Sequence, residues 1–371
     1  MKIAAIEVYG YELTYAHGEY VMSQGRAAQR QASTLVRIVT HEGREGWGES
    51  CTLGGTYLPD FAEGTRAGIR VMAPSLLGLE PTNLAVIHQR MNACLLGQNS
   101  AKSAIDIACW DLLGKAANLP IATLLGGVTQ PDFPLYEAVP LASPGDMAAF
   151  VRMRGEAGIS RFQLKVGNDP FDDAARTRSV VEACRDDVTI VADANGGWNL
   201  QSATIAVREL AGLNIFVEQP CRDTADCALV QRMSSLPLVL DESVVNAAEL
   251  YRAKYEAGAV SVNIKLARVG GITGAVRMRD QALDLGMTVC IEDVWGGDVT
   301  TAAVAHVAAS TRADALMHAS FFNDWTLEHV AGYAPRSERG RGKAPAAPGL
   351  GITVDARSLG AALFRVENHG R

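Results

Sequence analysis

Thr189-Ile-Val-Ala-Asp193, Ile215-Phe-Val-Glu218 and Leu238-Val-Leu-Asp241 are three short apolar runs, each closing on one acidic residue. A polar loop and an amphipathic segment separate such runs, and the unit recurs about every 25 residues from residue 130 onward. The same pattern predicts strands over Pro134 to Leu141, Arg161 to Val166, Ala259 to Lys265, Thr288 to Ile291 and Ala315 to Ser320, making eight in all. Helical spacing intervenes over Asp172 to Cys184, Ala203 to Leu210, Ala247 to Ala257 and Gly274 to Leu285. Strands dense in Val, Ile and Leu that alternate with helices are parallel and buried on both faces, and eight such units predict a (β/α)8 barrel. An open doubly wound sheet would share the alternation. Neither Gly196-Gly197 nor Gly270-Gly271 forms the Gly-rich fingerprint that such a sheet uses to hold a nucleotide.

Upstream the period is different. Lys2 to Leu13 and Ala32 to Thr40 alternate like strands, and a polar turn at His41 to Gly46 leads into Trp47-Gly-Glu49. Helical spacing follows over Ala67 to Leu77, Leu84 to Leu96 and Ser103 to Ala117. The expected organisation is an N-terminal α+β capping domain (1–128), the barrel (129–322), and a C-terminal segment (323–371) that returns to complete the cap. A chain of 371 residues has room for these two lobes.

With 48% hydrophobic and 20% charged residues the composition is that of an ordinary globular protein of enzyme size. The formal charge of −7 carries no lysine or arginine block, which argues against nucleic acid or an anionic membrane as partner. Met1 to Val8 reads as a strand rather than a targeting segment, and no apolar run approaches the roughly 20 residues needed to span a bilayer. A cytoplasmic location is expected. The seven cysteines lack CxxC spacing and are expected to be reduced.

In a barrel, chemistry gathers at the C-terminal ends of the strands. Here those ends carry Lys165, Asp193 with Asn195, Glu218, Asp241 with Glu242, Lys265, and Glu292 with Asp293. Charges that close apolar runs are costly unless they meet partners at a common mouth. Three carboxylates from adjacent strands, without a histidine or cysteine cluster, suit a hard cation: magnesium first, manganese second. Asp193, Glu218 and Asp241 are therefore the candidate metal ligands. Lys165 and Lys265, on strands two and six, face each other across them as candidate proton-transfer groups. A lysine becomes a base only when its pKa, about 10.4 when free, is lowered by roughly 3 units, or about 4 kcal/mol.

Gln-Leu-Lys165-Val-Gly, Val-Ala-Asp193-Ala-Asn195, Val-Glu218-Gln-Pro220, Leu-Asp241-Glu242-Ser, Asn-Ile-Lys265-Leu-Ala-Arg268-Val-Gly-Gly271 and the earlier Ala104-Ile-Asp106-Ile-Ala-Cys-Trp-Asp occur in one order along nearly the whole chain. In this the sequence resembles the enolase superfamily, within its muconate lactonising enzyme subgroup, which includes muconate cycloisomerases, o-succinylbenzoate synthases and amino-acid racemases. The resemblance implies magnesium on the three acids, the two lysines as acid and base, and a small-molecule carboxylate that loses its α proton to give an enediolate, the pattern general to this superfamily. It also implies a homo-oligomer, an octamer or a dimer, and places Gln163, Asn195, Glu242 and Arg268 beside the ligands. The chain departs from the family at Gln163, where the motif on strand two is commonly Lys-x-Lys. That loss removes a positive neighbour of Lys165.

Glu292, Asp293, Trp295 and Phe321 follow the late strands, while Tyr20 and Tyr57 lie on the cap loops Ala16 to Arg26 and Thr52 to Asp60. Aromatic faces and carboxylates suit a cationic nitrogen, at about 0.5 to 2 kcal/mol per ring. These six are the candidate substrate contacts. The expected activity is racemisation or epimerisation of an N-substituted or cyclic amino acid, of the proline betaine or hydroxyproline betaine type. The alternatives are dehydration of a hydroxyproline or other hydroxy acid, and muconate-type cycloisomerisation.

Overall fold

In the computed structural model, which describes residues 1–367, eight parallel strands form one curled sheet in sequence order: Glu137–Val139, Arg161–Lys165, Thr189–Asp193, Phe216–Glu218, Leu238–Leu240, Ser261–Lys265, Thr288–Glu292 and Leu316–Ala319. A parallel bridge between Leu135 and Ala319 joins the first edge to the last and closes the ring. The register aligns Lys165 with Asp193, Asp193 with Glu218, and Lys265 with Glu292, so these charged ends reach the mouth at one level. The barrel expected from the repeat is the one observed.

The barrel helices start where the sequence supplies caps. Ser143, Asp169, Asn199, Asp223 and Asn246 each accept backbone N–H groups from the first turn of the helix they precede. Two helices, Ile272–Asp284 and Asp298–Ala309, begin after Gly271 and Gly297 and have no side-chain cap of their own. The second of these has no amphipathic pattern to read, because all twelve of its residues are buried between the barrel and the cap.

The cap is a four-stranded antiparallel sheet in the order Phe364–Glu367, Ile3–Thr14, Arg30–Thr40, Glu45–Cys51, its first edge strand coming from the last described residues of the chain. Three helices, Ala62–Leu76, Leu84–Cys94 and Asn99–Ala117, cover this sheet around a core that includes Ile6, Ile38, Ile69, Met72 and Ile105. Gly48 shows why Trp47-Gly-Glu49 reads as it does. A Cβ there would stand 1.9 Å from the Ala104 carbonyl oxygen, so only glycine lets strand and helix meet. Among the described residues no helix is long and apolar enough to cross a membrane, and no cysteine is bonded to another.

Candidate active site

Period-two alternation turns Gln163 and Lys165 to one face of the second barrel strand, and Asn263 and Lys265 to one face of the sixth. All four side chains are buried, as are Asp193, Glu218 and Asp241, each 0% exposed. The Lys165 ammonium donates to Asp193 Oδ2 at 2.5 Å and to Gln163 Oε1 at 2.7 Å. Gln163 in turn donates from Nε2 to both oxygens of Glu218, at 3.0 and 3.1 Å. Across the mouth, Asn263 Nδ2 donates to Glu218 Oε1 at 2.8 Å. Lys265 stands 2.8 Å from Asp241 Oδ2, and Arg268 takes the other oxygen of Asp241 at 2.5 Å. The middle acid is thus held by two neutral amides, and each outer acid by at least one cation.

Asn195 lies between Asp193 and Glu242. Asn195 donates its N–H to Asp193 Oδ1 at 2.8 Å and its Nδ2 to Glu242 Oε1 at 3.0 Å. Burial and the charges of Asp193, Asp241 and Glu292 push Glu218 well above the usual carboxylate range. Burial, Asp241 and Asp193 together push Glu242 up to about 7. Asp241 moves the other way, held low despite its burial by Lys265 and Arg268. Burial alone would lower both lysines, but Asp193 beside one and Asp241 beside the other hold them above their ordinary value.

Among the described residues no group of three or more His, Cys, Asp or Glu stands together at metal-ligand spacing, each acid being turned to a cation or an amide. The donor set nonetheless fits a hard divalent cation. Four buried acids (Asp193, Glu218, Asp241, Glu292) and the half-buried Glu242 share the mouth with three buried bases (Lys165, Lys265, Arg268), a formal excess of two negative charges. Glu242 Oε2 and Glu292 Oε1 are buried without a hydrogen-bond partner. Oxygen-only donors with uncompensated negative charge match magnesium or manganese and not a softer ion.

Over the mouth lies a small pocket of about 20 Å³, lined by Lys165, Lys265, Gln163, Asn195 and Glu292 below and by Tyr20, Tyr57 and Trp295 around its rim. Tyr57, reaching down from the cap, donates its hydroxyl to Asp241 Oδ2 at 2.9 Å and accepts from Lys265 at 2.5 Å. Two expected contacts fall outside this lining. Asp293 accepts the N–H groups of Ala267 and Val294 at 2.9 and 2.7 Å, because the residue after Glu292 points to the opposite face of the strand. Phe321 packs edge-on against Phe133, 5.9 Å between centroids, on the other side of the chain. Its neighbour Phe322 lines the pocket instead.

Two residues went unnoticed in the sequence, and a third was passed over for its neighbour. Asn263 could have been found, since it stands two before Lys265 as Gln163 does before Lys165. Tyr136 donates its hydroxyl to Glu292 Oε2, yet from sequence it is one more apolar residue of a strand. Phe322 differs from Phe321 only in direction.

Residues 6–126 match the N-terminal domain of the mandelate racemase / muconate lactonizing enzyme family, and residues 146–358 match the enolase C-terminal domain-like family. A cis-3-hydroxy-L-proline dehydratase of Roseibium aggregatum is 40% identical over 98% of this chain and 100% of its own length. An N-succinyl-L-Arg/Lys racemase of Bacillus cereus is 32% identical over 84% of this chain and 85% of its own. Among solved structures, a mandelate racemase/muconate lactonizing enzyme from Roseovarius nubinhibens complexed with magnesium superposes with a TM-score of 0.95 at 32% identity, covering 99% of this chain and 100% of that one.

Proposed function

This chain belongs to the mandelate racemase / muconate lactonizing enzyme family, and on that premise we propose that it dehydrates a small cyclic β-hydroxy-α-amino acid of the 3-hydroxyproline kind, beginning with removal of the proton α to the carboxylate. The observation that carries the reading is the pair of lysines, which line one pocket and are held by Asp193 and Asp241 on opposite sides of the barrel mouth. In a cis-3-hydroxy amino acid the hydroxyl shares a ring face with the carboxylate, and so lies opposite the α-hydrogen. Elimination then needs a base on one face and an acid on the other. Lys165 and Lys265 supply that arrangement.

The residues divide the work as follows. Asp193, Glu218 and Asp241 would hold a divalent cation, which supplies positive charge where a carboxylate gains its second negative charge, a contribution of several kcal/mol. One lysine takes the α proton, leaving an enediolate. As the Cα–Cβ double bond forms, the Cβ–O bond breaks, and the opposite lysine gives its proton to the departing oxygen as water. The pairs with Asp193 and Asp241 keep both lysines protonated, so either becomes a base only once its carboxylate is engaged elsewhere. Gln163 and Asn263 steady Glu218 without adding charge beside the lysines.

A racemase would use the same two lysines, with the second proton delivered to carbon instead of oxygen. The racemase relative in Bacillus cereus supports this second reading. Proton NMR in deuterium oxide with magnesium and the four stereoisomers of 3-hydroxyproline separates the two. Loss of water from the cis-L isomer is the expected result. Inversion with deuterium incorporation and no loss of water would replace dehydration by racemisation, and inertness toward all cyclic and N-substituted amino acids in a broad panel would defeat both.

A further inference from the structure

Three buried polar atoms on side chains that line the pocket have no hydrogen-bond partner: Glu292 Oε1 and the neutral Asn195 Oδ1, both acceptors, and Trp295 Nε1–H, a donor; of the two acceptors only Glu292 carries charge. Glu292 is 1% exposed and Trp295 2%, so water does not satisfy them cheaply. The Glu292 carboxylate is also fixed in direction. Tyr136 donates its hydroxyl to Oε2, and the Tyr136 ring is wedged between His318, 4.7 Å between centroids, and Trp325, 5.7 Å. Oε1 is left 3.5 Å from Lys265 Nζ, a Coulombic neighbour too distant for a good hydrogen bond.

From this we infer that Glu292, oriented by Tyr136, is the receptor for the substrate's ammonium group, and that it selects a nitrogen bearing N–H over a fully alkylated one. The inference rests on the proposed amino-acid substrate and says which kind of nitrogen that substrate carries. A cationic nitrogen entering this mouth meets Lys165, Lys265 and Arg268, and Glu292 is the acid on the Lys265 side that can offset that repulsion. An N–H pairs with Oε1 in a charge-assisted bond. A quaternary nitrogen leaves Oε1 unpaired in a desolvated pocket. An aromatic cage does not compensate, because Trp295 is already packed by Tyr20, Phe322 and Trp325 at 5.2, 5.3 and 5.9 Å. Trp295 Nε1–H is the complementary donor, suited to an oxygen on the ligand.

Isothermal titration of the full-length, magnesium-loaded protein with L-proline and with its N,N-dimethyl betaine tests this without turnover. Absence of dehydration would therefore count against the proposed reaction and leave this comparison readable. The wild-type protein is expected to bind L-proline at least tenfold more tightly than the betaine. In Glu292→Gln the Tyr136 hydroxyl takes the one carbonyl and leaves the amide nitrogen facing the ligand, so the two affinities converge to within threefold. Tyr136→Phe keeps the charge and loosens its aim, weakening L-proline three- to tenfold with betaine binding unchanged. Equal or tighter binding of the betaine by the wild type, a preference that survives Glu292→Gln in a folded protein, or no binding of either ligand would overturn the inference.

Discussion

Buried acids occur in two regions of this molecule, the seam between cap and barrel and the barrel mouth, and they are treated in opposite ways. At the seam Glu49 accepts from the hydroxyls of Tyr11 and Ser33 at 2.6 and 2.7 Å and from the N–H groups of Gly297 and Thr300 at 3.0 and 2.8 Å. Asp106 accepts from the N–H and hydroxyl of Thr273 at 3.0 and 2.6 Å, with His88 at 2.6 Å. These acids cap in trans the two barrel helices that start after glycine and lack caps of their own, and the helix dipole favours the charge there. At the mouth, Glu218 has only two amide partners and three acids near enough to raise its pKa. Satisfied acids hold the lobes together; crowded acids are poised to bind. Burial alone does not distinguish them, nor does the number of donors, since Asp241 has as many as Asp106; the crowding of other acids around Glu218 does.

The largest expected effect falls on the chemistry of the mouth. Lys265→Ala should lower α-proton exchange, measured per folded molecule, by about 10³-fold or more, and should also lower the thermal midpoint in chelator because Asp241 and Glu292 lose a cation. Exchange within tenfold of wild type would remove Lys265 from the chemistry. Glu49→Ala should do the reverse, costing about 3 kcal/mol in urea unfolding because four donors are stranded, with turnover per folded molecule preserved. An unchanged midpoint would contradict the seam's role.

The seam also predicts a pH response of similar size. His306 Nδ1 accepts from the Ala122 N–H at 3.2 Å and its Nε2 donates to the Leu350 carbonyl at 3.1 Å, so the folded ring is neutral, and burial lowers its pKa to about 4. The unfolded ring titrates near 6.5, so below that pH the unfolded chain binds the proton first. The contribution is complete above about pH 6.5 and is lost as pH falls toward 4, roughly 3 kcal/mol in all. The difference in unfolding free energy between the wild type and His306→Gln, followed from pH 7.5 to 4.5, should shrink accordingly. A difference independent of pH would show that the ring is not held neutral. Slightly smaller is the effect of magnesium, which at a hundredfold excess over its dissociation constant should add about 2.7 kcal/mol, and should add little to Glu218→Gln. Equal stabilisation of both proteins would place the ion elsewhere.

What the sequence disclosed follows from the same physics. An apolar strand that ends in a charge is conspicuous, so Lys165, Asp193, Glu218, Asp241 and Lys265 were legible and the barrel with them. Asp106 and Asp111 were noticed as part of a motif, but nothing in it says that they pin other elements: Asp111 accepts the N–H groups of Trp47 and Leu350, both distant in sequence. Direction was the harder quantity. Glu292 and Asp293 look alike as neighbours, yet alternation sends one into the pocket and the other onto backbone amides. Phe321 and Phe322 lie at the start of a 3-10 turn, where no simple period assigns a side. The helix Asp298–Ala309 gave no signal because it has no exposed face.

The central claim is that the acids and lysines of the mouth form a single proton-abstraction site. Deuterium exchange at the α-carbon of cis-3-hydroxy-L-proline or L-proline, followed by NMR with magnesium and again with chelator, tests it most directly. Exchange with magnesium that disappears in chelator, in Lys265→Ala and in Glu218→Gln is the predicted result, and exchange that persists at the wild-type rate under any of those three conditions would contradict it.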